Sequence, residues 1–177
     1  MNGVATAPGA GTVLNALATG QGSAFAIDVE TTATVELAAD AATVTGEIAG
    51  APDADTRLIE RCVERVVDRF GDGEGGTVAT DSEVPMAAGL KSSIAAANAT
   101  VLATLDALGV DVVETDAPES DADVAGDDAI ANIDACRMGV NAAREVGVTM
   151  TGAFDEASSS VLGGGVGTDN TADELMP

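Results

Sequence analysis

The sequence predicts a layered α+β or mixed α/β fold, and three features point there. Segments of alternating Thr and Val crowd the first 48 residues. Segments with apolar residues every three or four positions follow them. No regular strand–helix alternation of the dinucleotide-binding kind links the two. With 177 residues, 46% of them apolar, the chain has material for a buried core. Its aromatics are three Phe, so Ala, Val and Leu must fill the interior and backbones must approach closely.

Residues 3–8 read as a short strand, and 11–18, GTVLNALA, as a short helix ending at Thr19-Gly20. SAFAIDV (23–29), TTATVELA (31–38) and ATVTGEI (42–48) alternate well enough for three strands. Residues 55–71 carry the clearest helix signal. Leu58, Ile59, Cys62, Val63, Val66 and Phe70 make one apolar stripe, and Gly71 is a natural stop. Arg61 and Glu64, and Arg65 and Asp68, are spaced i,i+3 for ion pairs. Arg57, Arg61, Arg65 and Arg69 therefore read as a salt-bridged solvent face, with an anion site as the other reading. Residues 72–76 form a loop and 77–84 a strand. A second helix opens after Gly89, with Ile94, Ala97, Val101, Leu105 and Leu108 at helical spacing and Gly109 at its end. Residues 111–128, acidic and holding Pro118 and Gly126, read as a loop, and 127–147 as a further helix. Residues 152–170 read as a short helix, a glycine-rich turn and a strand, and no internal repeat stands out.

Charge defines the surface. Thirty acids face seven bases, for a formal charge of -23, and Lys91 is the one lysine. Such repulsion argues against nucleic acid or an anionic membrane as partner, while the apolar content excludes a disordered acidic tail. Acids spread along a foldable chain fit a surface adapted to strong salt, where at ~1 M the Debye length is only ~3 Å. A halophilic source is the expectation, with a merely acidic protein as the alternative. Cys62 and Cys136 are far apart and there is no His, so neither a zinc site nor a Cys–His pair is expected. Two buried thiols fit a reducing cytoplasm. No apolar run reaches membrane-spanning length and no secretory signal opens the chain, so a cytoplasmic location is expected.

Several nucleotide and metal motifs fail. Leu90 precedes the lysine where a P-loop needs glycine. The Gly9–Gly11 pair lacks a third glycine, since Leu14 stands in its place. Asp121, Asp123 and Gly126 fit a calcium loop, but Ala125 and Asn132 do not. What remains is PMAAGLKSS (85–93). Gly89 allows close backbone approach, and the following helix start offers unpaired N–H groups at the positive end of its dipole. A polyphosphate fits there, with hydroxyls from Ser92 and Ser93 and a point charge from Lys91. An ordinary serine-started helix is the other reading.

PMAAGLKSSIA (85–95) resembles the second motif of the GHMP kinases (galactokinase, homoserine kinase, mevalonate kinase, phosphomevalonate kinase), whose pattern is Pro-x-x-x-Gly-Leu-x-Ser-Ser and a small residue. Pro85, Gly89, Leu90, Ser92 and Ser93 match, while Ile94 departs from the small residue. Within that superfamily, GLKSS together with NALATGQGSAF (15–25) and TGAFDEASSSVLGG (151–164) resembles archaeal shikimate kinases. The resemblance implies an α+β GHMP-kinase N-terminal domain, a sheet and helices in two layers, over about residues 1–150. Residues 151–177 would begin a C-terminal domain. It implies ATP-dependent phosphorylation of shikimate to shikimate 3-phosphate. Homoserine or mevalonate is the alternative acceptor, and a truncated non-catalytic nucleotide-binding module the alternative of a different class.

The same resemblance assigns roles. ATP phosphates would lie over Pro85, Ala87, Ala88, Gly89, Leu90, Lys91, Ser92 and Ser93. Mg²⁺ would sit near Ser92 or Ser93, with Glu145 as its acid. Asp155 would accept the proton of the attacking hydroxyl; charge alone, not the resemblance, suggests that Lys91 would offset the negative charge of the transferring group. Asn15, Thr19, Gly20 and Ser23 would line the acceptor pocket, and Arg137 and Arg144 are candidates to meet shikimate's carboxylate. GHMP kinases continue into a second half, so a further half is expected to pack on an exposed apolar face.

Overall fold

The computed structural model describes residues 1–83, 92–114, 128–149 and 153–176. A mixed sheet carries the long β1 (Asn2–Leu14) and β2 (Gln21–Ala38), with β3 (Val44–Ile48), β4 (Gly75–Ser82), β7 (Gly165–Asp169) and β8 (Glu174–Leu175). β2 is its spine. One edge pairs antiparallel with β1; the other serves β7 with residues 21–25 and β4 with residues 31–38. β3 lies parallel to β4, and β8 closes the far end against β7.

Four helices pack against this sheet and one another: α1 (Arg57–Phe70), α2 (Ser92–Leu108), α3 (Asn132–Glu145) and α4 (Phe154–Leu162). α2 is central. Ala99, Ala103 and Ala107 face the sheet with Ile59, Val63 and Val67 of α1. Ile94, Ala97, Val101 and Leu105 face α3 and α4. A helix apolar on all sides is one buried on all sides. Alanines and Gly3 let it come close: a Cβ at Gly3 would stand 2.1 Å from the Ala103 carbonyl oxygen. The aromatic-poor composition thus resolves into close backbone packing.

The strands differ most from expectation. Gly11–Leu14, expected within a helix, continue β1, with Gly11 opposite Phe25, Thr12 opposite Ala24 and Leu14 opposite Ser23. Pairing along β2 overrides the local helical pattern. The two strands expected at 23–29 and 31–38 are one, because each half has its own partner on the same edge. Within the stretch expected to be a loop, β5 (Asp111–Val113) pairs parallel with β6 (Ala129–Ala131), and the helix expected from 127 starts at Asn132. Arg61 meets Glu64 at 3.0 Å as its spacing predicts. Arg65 turns instead to Glu145, tying α1 to α3. β7 joins this same sheet against β2, and α4 packs against β1 and β2. Cys62 and Cys136 are buried free thiols, and burial raises both; Cys62 reaches about 12. No helix among the described residues is long and apolar enough to cross a membrane.

Candidate active site

Two helix starts define the site. At the first, Ser92 and Ser93 open α2 and border a cavity of about 180 Å³. Its walls are Ile48, Leu58, Ile59, Ala96 and Val148, with hydroxyls from Thr31, Thr80 and Ser82 and the Arg57-paired carboxylate of Asp55. The Thr31 and Ser82 hydroxyls share a 2.7 Å hydrogen bond, which leaves the cavity mostly apolar, as a flat heterocycle requires. Pro85, Ala87, Ala88, Gly89, Leu90 and Lys91 lie outside the described residues.

At the second, α4 begins after Ala153, whose φ of 52° is left-handed and strained for a non-glycine residue. No local side chain caps this start. Asn170, sixteen residues on, does so: its Oδ1 accepts from the Phe154 N–H at 2.6 Å and from the Asp155 N–H at 3.4 Å. Its amide nitrogen donates to Thr168 Oγ1 at 3.0 Å, which fixes its orientation. Three serines then lock the helix. Ser158 and Ser159 bond back to the Phe154 and Glu156 carbonyls, and Ser160 donates to the Pro8 carbonyl of β1 at 2.6 Å.

Asp155 is thereby held rigidly, and it is 2% exposed. Its Oδ2 has no hydrogen-bond partner among the described residues. Burial raises its pKa to about 6; the neighbouring Glu156 carboxyl adds to the rise, and the Asn170 amide opposes it weakly. The carboxylate fits only because residue 22 is glycine: a Cβ there would stand 2.7 Å from Oδ2 and 2.8 Å from the Asn170 amide nitrogen. A buried, poorly solvated carboxylate that ionises near pH 6 suits a proton acceptor at neutral pH.

The two helices touch within two turns of their starts. Asn98 of α2 donates to the Ala157 carbonyl of α4 at 3.0 Å. Six residues of helix separate Asn98 from Ser92, about 9 Å at 1.5 Å per residue. A triphosphate spans that order of distance.

The turn after β1 lies beside α4. Asn15 Oδ1 accepts from the Leu17 N–H at 2.9 Å, and Thr19 Oγ1 accepts from the Gln21 N–H at 3.3 Å. Gly20, with φ of 79°, accepts from the Asn170 N–H at 2.8 Å. Asn15, Thr19 and Gly20 thus share the end of the sheet that holds Asp155. Ser23 sits on the same strand, but side chains alternate, and Gly22 is the residue facing Asp155. Ser23 faces the opposite side of the sheet.

Other candidate charges are engaged elsewhere. Glu145 is bound by Arg61 and Arg65, and these guanidiniums hold its pKa low. A carboxylate so neutralised does not fit a divalent cation, and among the described residues no group of three acid, Cys or His side chains forms a metal cluster. The hydroxyls of Ser92 and Ser93 fit a Mg²⁺ that arrives on a nucleotide, since such an ion takes one or two protein oxygens besides phosphate and water. Arg144 grips the Asp173 carboxylate with both terminal nitrogens, at 2.5 and 2.6 Å. Arg137 bonds the Asp173 carbonyl and Asp134, and lies over the Phe154 ring. Both arginines therefore anchor the segment that carries Asn170. Gly22, Asn170, Thr12 and Glu156 went unnoticed in the sequence. Their signal there is slight: Gly22 lies within the 15–25 resemblance and Glu156 within that at 151–164, next to Asp155.

Residues 57–164 match the family described as the GHMP kinases N terminal domain. Over 176 residues the chain is 59% identical to a shikimate kinase of Halobacterium salinarum, covering 99% of this chain and 56% of the relative. It is 52% identical over 174 residues to a shikimate kinase of Methanococcoides burtonii, covering 98% of this chain and 54% of that one. The chain thus spans about half the length of these curated relatives. Its fold matches the crystal structure of a homoserine kinase from Cytophaga hutchinsonii with a TM-score of 0.72 at 14% identity, over 99% of this chain and 51% of that one.

Proposed function

The chain belongs to the GHMP kinase family, and from that premise we propose that it serves an ATP-dependent kinase that phosphorylates shikimate at its 3-hydroxyl. The adenine ring occupies the apolar cavity beside Ile48, Leu58 and Ile59. The phosphates lie at the first turn of α2, where free N–H groups and the helix dipole favour anions. Lys91 offsets charge on the transferring group. Mg²⁺ bound to the nucleotide supplies further charge neutralisation, with Ser92 or Ser93 as a protein oxygen.

Asp155 takes the proton of the attacking hydroxyl. The new bond forms between that oxygen and the γ-phosphorus, the bond to the β-phosphate oxygen breaks, and ADP leaves with the electron pair. Positioning and charge stabilisation carry most of such a reaction. The turn at Asn15, Thr19 and Gly20 adjoins this carboxylate and holds the acceptor. The observation that carries the proposal is the buried Asp155, held by Asn170 against Gly22 on a helix bonded directly to α2.

The relatives' greater length bears on how complete the cleft is. Val13, Leu14, Leu17 and Phe25 are exposed at the end of β1 and the start of β2. We propose that additional chain of the kind those relatives possess packs there.

The test is ADP release with shikimate, homoserine and mevalonate in strong KCl, by this chain alone and with the remainder of a full-length relative added. Release with shikimate alone supports the proposal. Release only with homoserine or mevalonate reassigns the acceptor. Mg-ATP binding in calorimetry without turnover under any condition leaves a nucleotide-binding module.

A further inference from the structure

Glu156 is the one buried carboxyl near the site that the proposed reaction leaves unused. It is 4% exposed, next to an Asp155 that is 2% exposed. Two carboxyls in one dry environment cannot both ionise freely, because each raises the energy of the other's anion. Glu156 is also held in place: Thr12 of β1 donates its hydroxyl to Oε1 at 2.7 Å. The Ser160 bond to the Pro8 carbonyl fixes α4 against that same strand.

We propose that Asp155 and Glu156 form a carboxyl pair sharing one proton, in which Thr12 keeps Glu156 ionised and Glu156 thereby acts as a positioning residue for the base. A hydroxyl donor favours the anion it touches, so the shared proton resides on Asp155. Above the second ionisation both groups are charged, and their repulsion raises the affinity of Asp155 for a proton. When Asp155 takes the proton of an acceptor hydroxyl, the pair returns to its singly protonated form and the repulsion is relieved. The proton then leaves to solvent with product release, and no other reactant is needed.

Among the described residues, the neighbours on β2 and α3 supply no competing charge. Gly22 on β2 has no side chain, and Asn170 is neutral. On α3, Arg137 is spent on Asp134 and the Asp173 carbonyl, while the Asp173 carboxylate is held by Arg144. Among these, Glu156 is the acid named with burial in raising Asp155.

The inference rests on the kinase reading for its purpose, but its test does not. Carboxyl carbon resonances of Asp155 are titrated by NMR in this chain and in the Glu156→Gln and Thr12→Val forms. The Asp155 midpoint, near 6 in the unaltered chain, falls by at least about one pH unit in Glu156→Gln. In Thr12→Val it falls by less, because loss of the hydroxyl lets the proton move toward Glu156. Thr12→Val keeps both carboxyls, so the answer survives if Glu156→Gln does not fold. An Asp155 midpoint unchanged in every folded variant overturns the pair. The acid limb of kcat/KM for shikimate shifts with the midpoint, with KM for ATP unchanged. Absence of ADP release at every pH, both by this chain alone and with the remainder of a full-length relative added, with the midpoints still moving, would refute the kinase reading and leave the pair standing.

Discussion

The start of α2 takes its chemistry from consecutive residues, Gly-Leu-Lys-Ser-Ser, whereas the start of α4 takes it from four separated places. Asn170 caps it, Gly22 makes room, Thr12 holds the neighbouring acid, and Pro8 accepts from Ser160. A phosphate needs only free N–H groups and short side chains, and a helix start supplies those locally. A proton acceptor needs burial, and burial requires distant strands to close over it. The two ends of one site can therefore fail independently, and variants can separate them.

The largest expected loss at the first end is Lys91→Ala. Removing a cation that meets developing charge should lower kcat by ~10²–10³ while Tm stays put. A parallel fall in Tm would make Lys91 a folding residue instead. Gly22→Ala attacks the second end. Its Cβ would meet Asp155 Oδ2 at 2.7 Å, so the carboxylate must shift, lowering kcat by ~10² and stability by about 1–3 kcal/mol. Tight ATP binding should survive, which calorimetry would check. Asn170→Ala leaves the α4 start uncapped and should destabilise by about 1–2 kcal/mol, read as a lower midpoint in denaturant. Ala96→Leu is the mildest: it fills the cavity beside Ser92 and Ser93 and should raise KM for ATP by about tenfold, with Asp155 titrating as before.

The sequence was most legible where one periodicity sufficed. The stripe of Leu58, Ile59, Cys62, Val63 and Val66 is the buried face of α1. The GLKSS resemblance pointed to the start of α2, and the Gly-Ala-Phe-Asp resemblance singled out Asp155, which is buried. Legibility ended where pairing decided the structure. Gly11–Leu14 look helical alone and become strand because Phe25 and Ala24 lie opposite. β5 and β6 are three residues each and exist through each other. Charged candidates were the hardest, because a carboxylate or guanidinium in a sequence does not reveal its partner. Glu145 is bound by α1, and Arg137 and Arg144 by Asp173.

The stability of the site opposes its chemistry. The Asp155 pKa is about 6 against an ordinary 3.8, so the folded state holds this proton more tightly than the unfolded chain. The resulting stabilisation is complete below about pH 4 and is lost as pH rises through about 6, by at most about 3 kcal/mol. A neutral side chain at 155 should therefore leave Tm at pH 7.5 equal or higher.

The decisive measurement is ADP release with shikimate at pH 7.5 by the Asp155→Asn form, compared with the unaltered chain under identical conditions. A loss of ~10³-fold in a protein that melts no lower is the predicted result. A rate close to that of the unaltered chain would contradict the assignment of Asp155 as the proton acceptor.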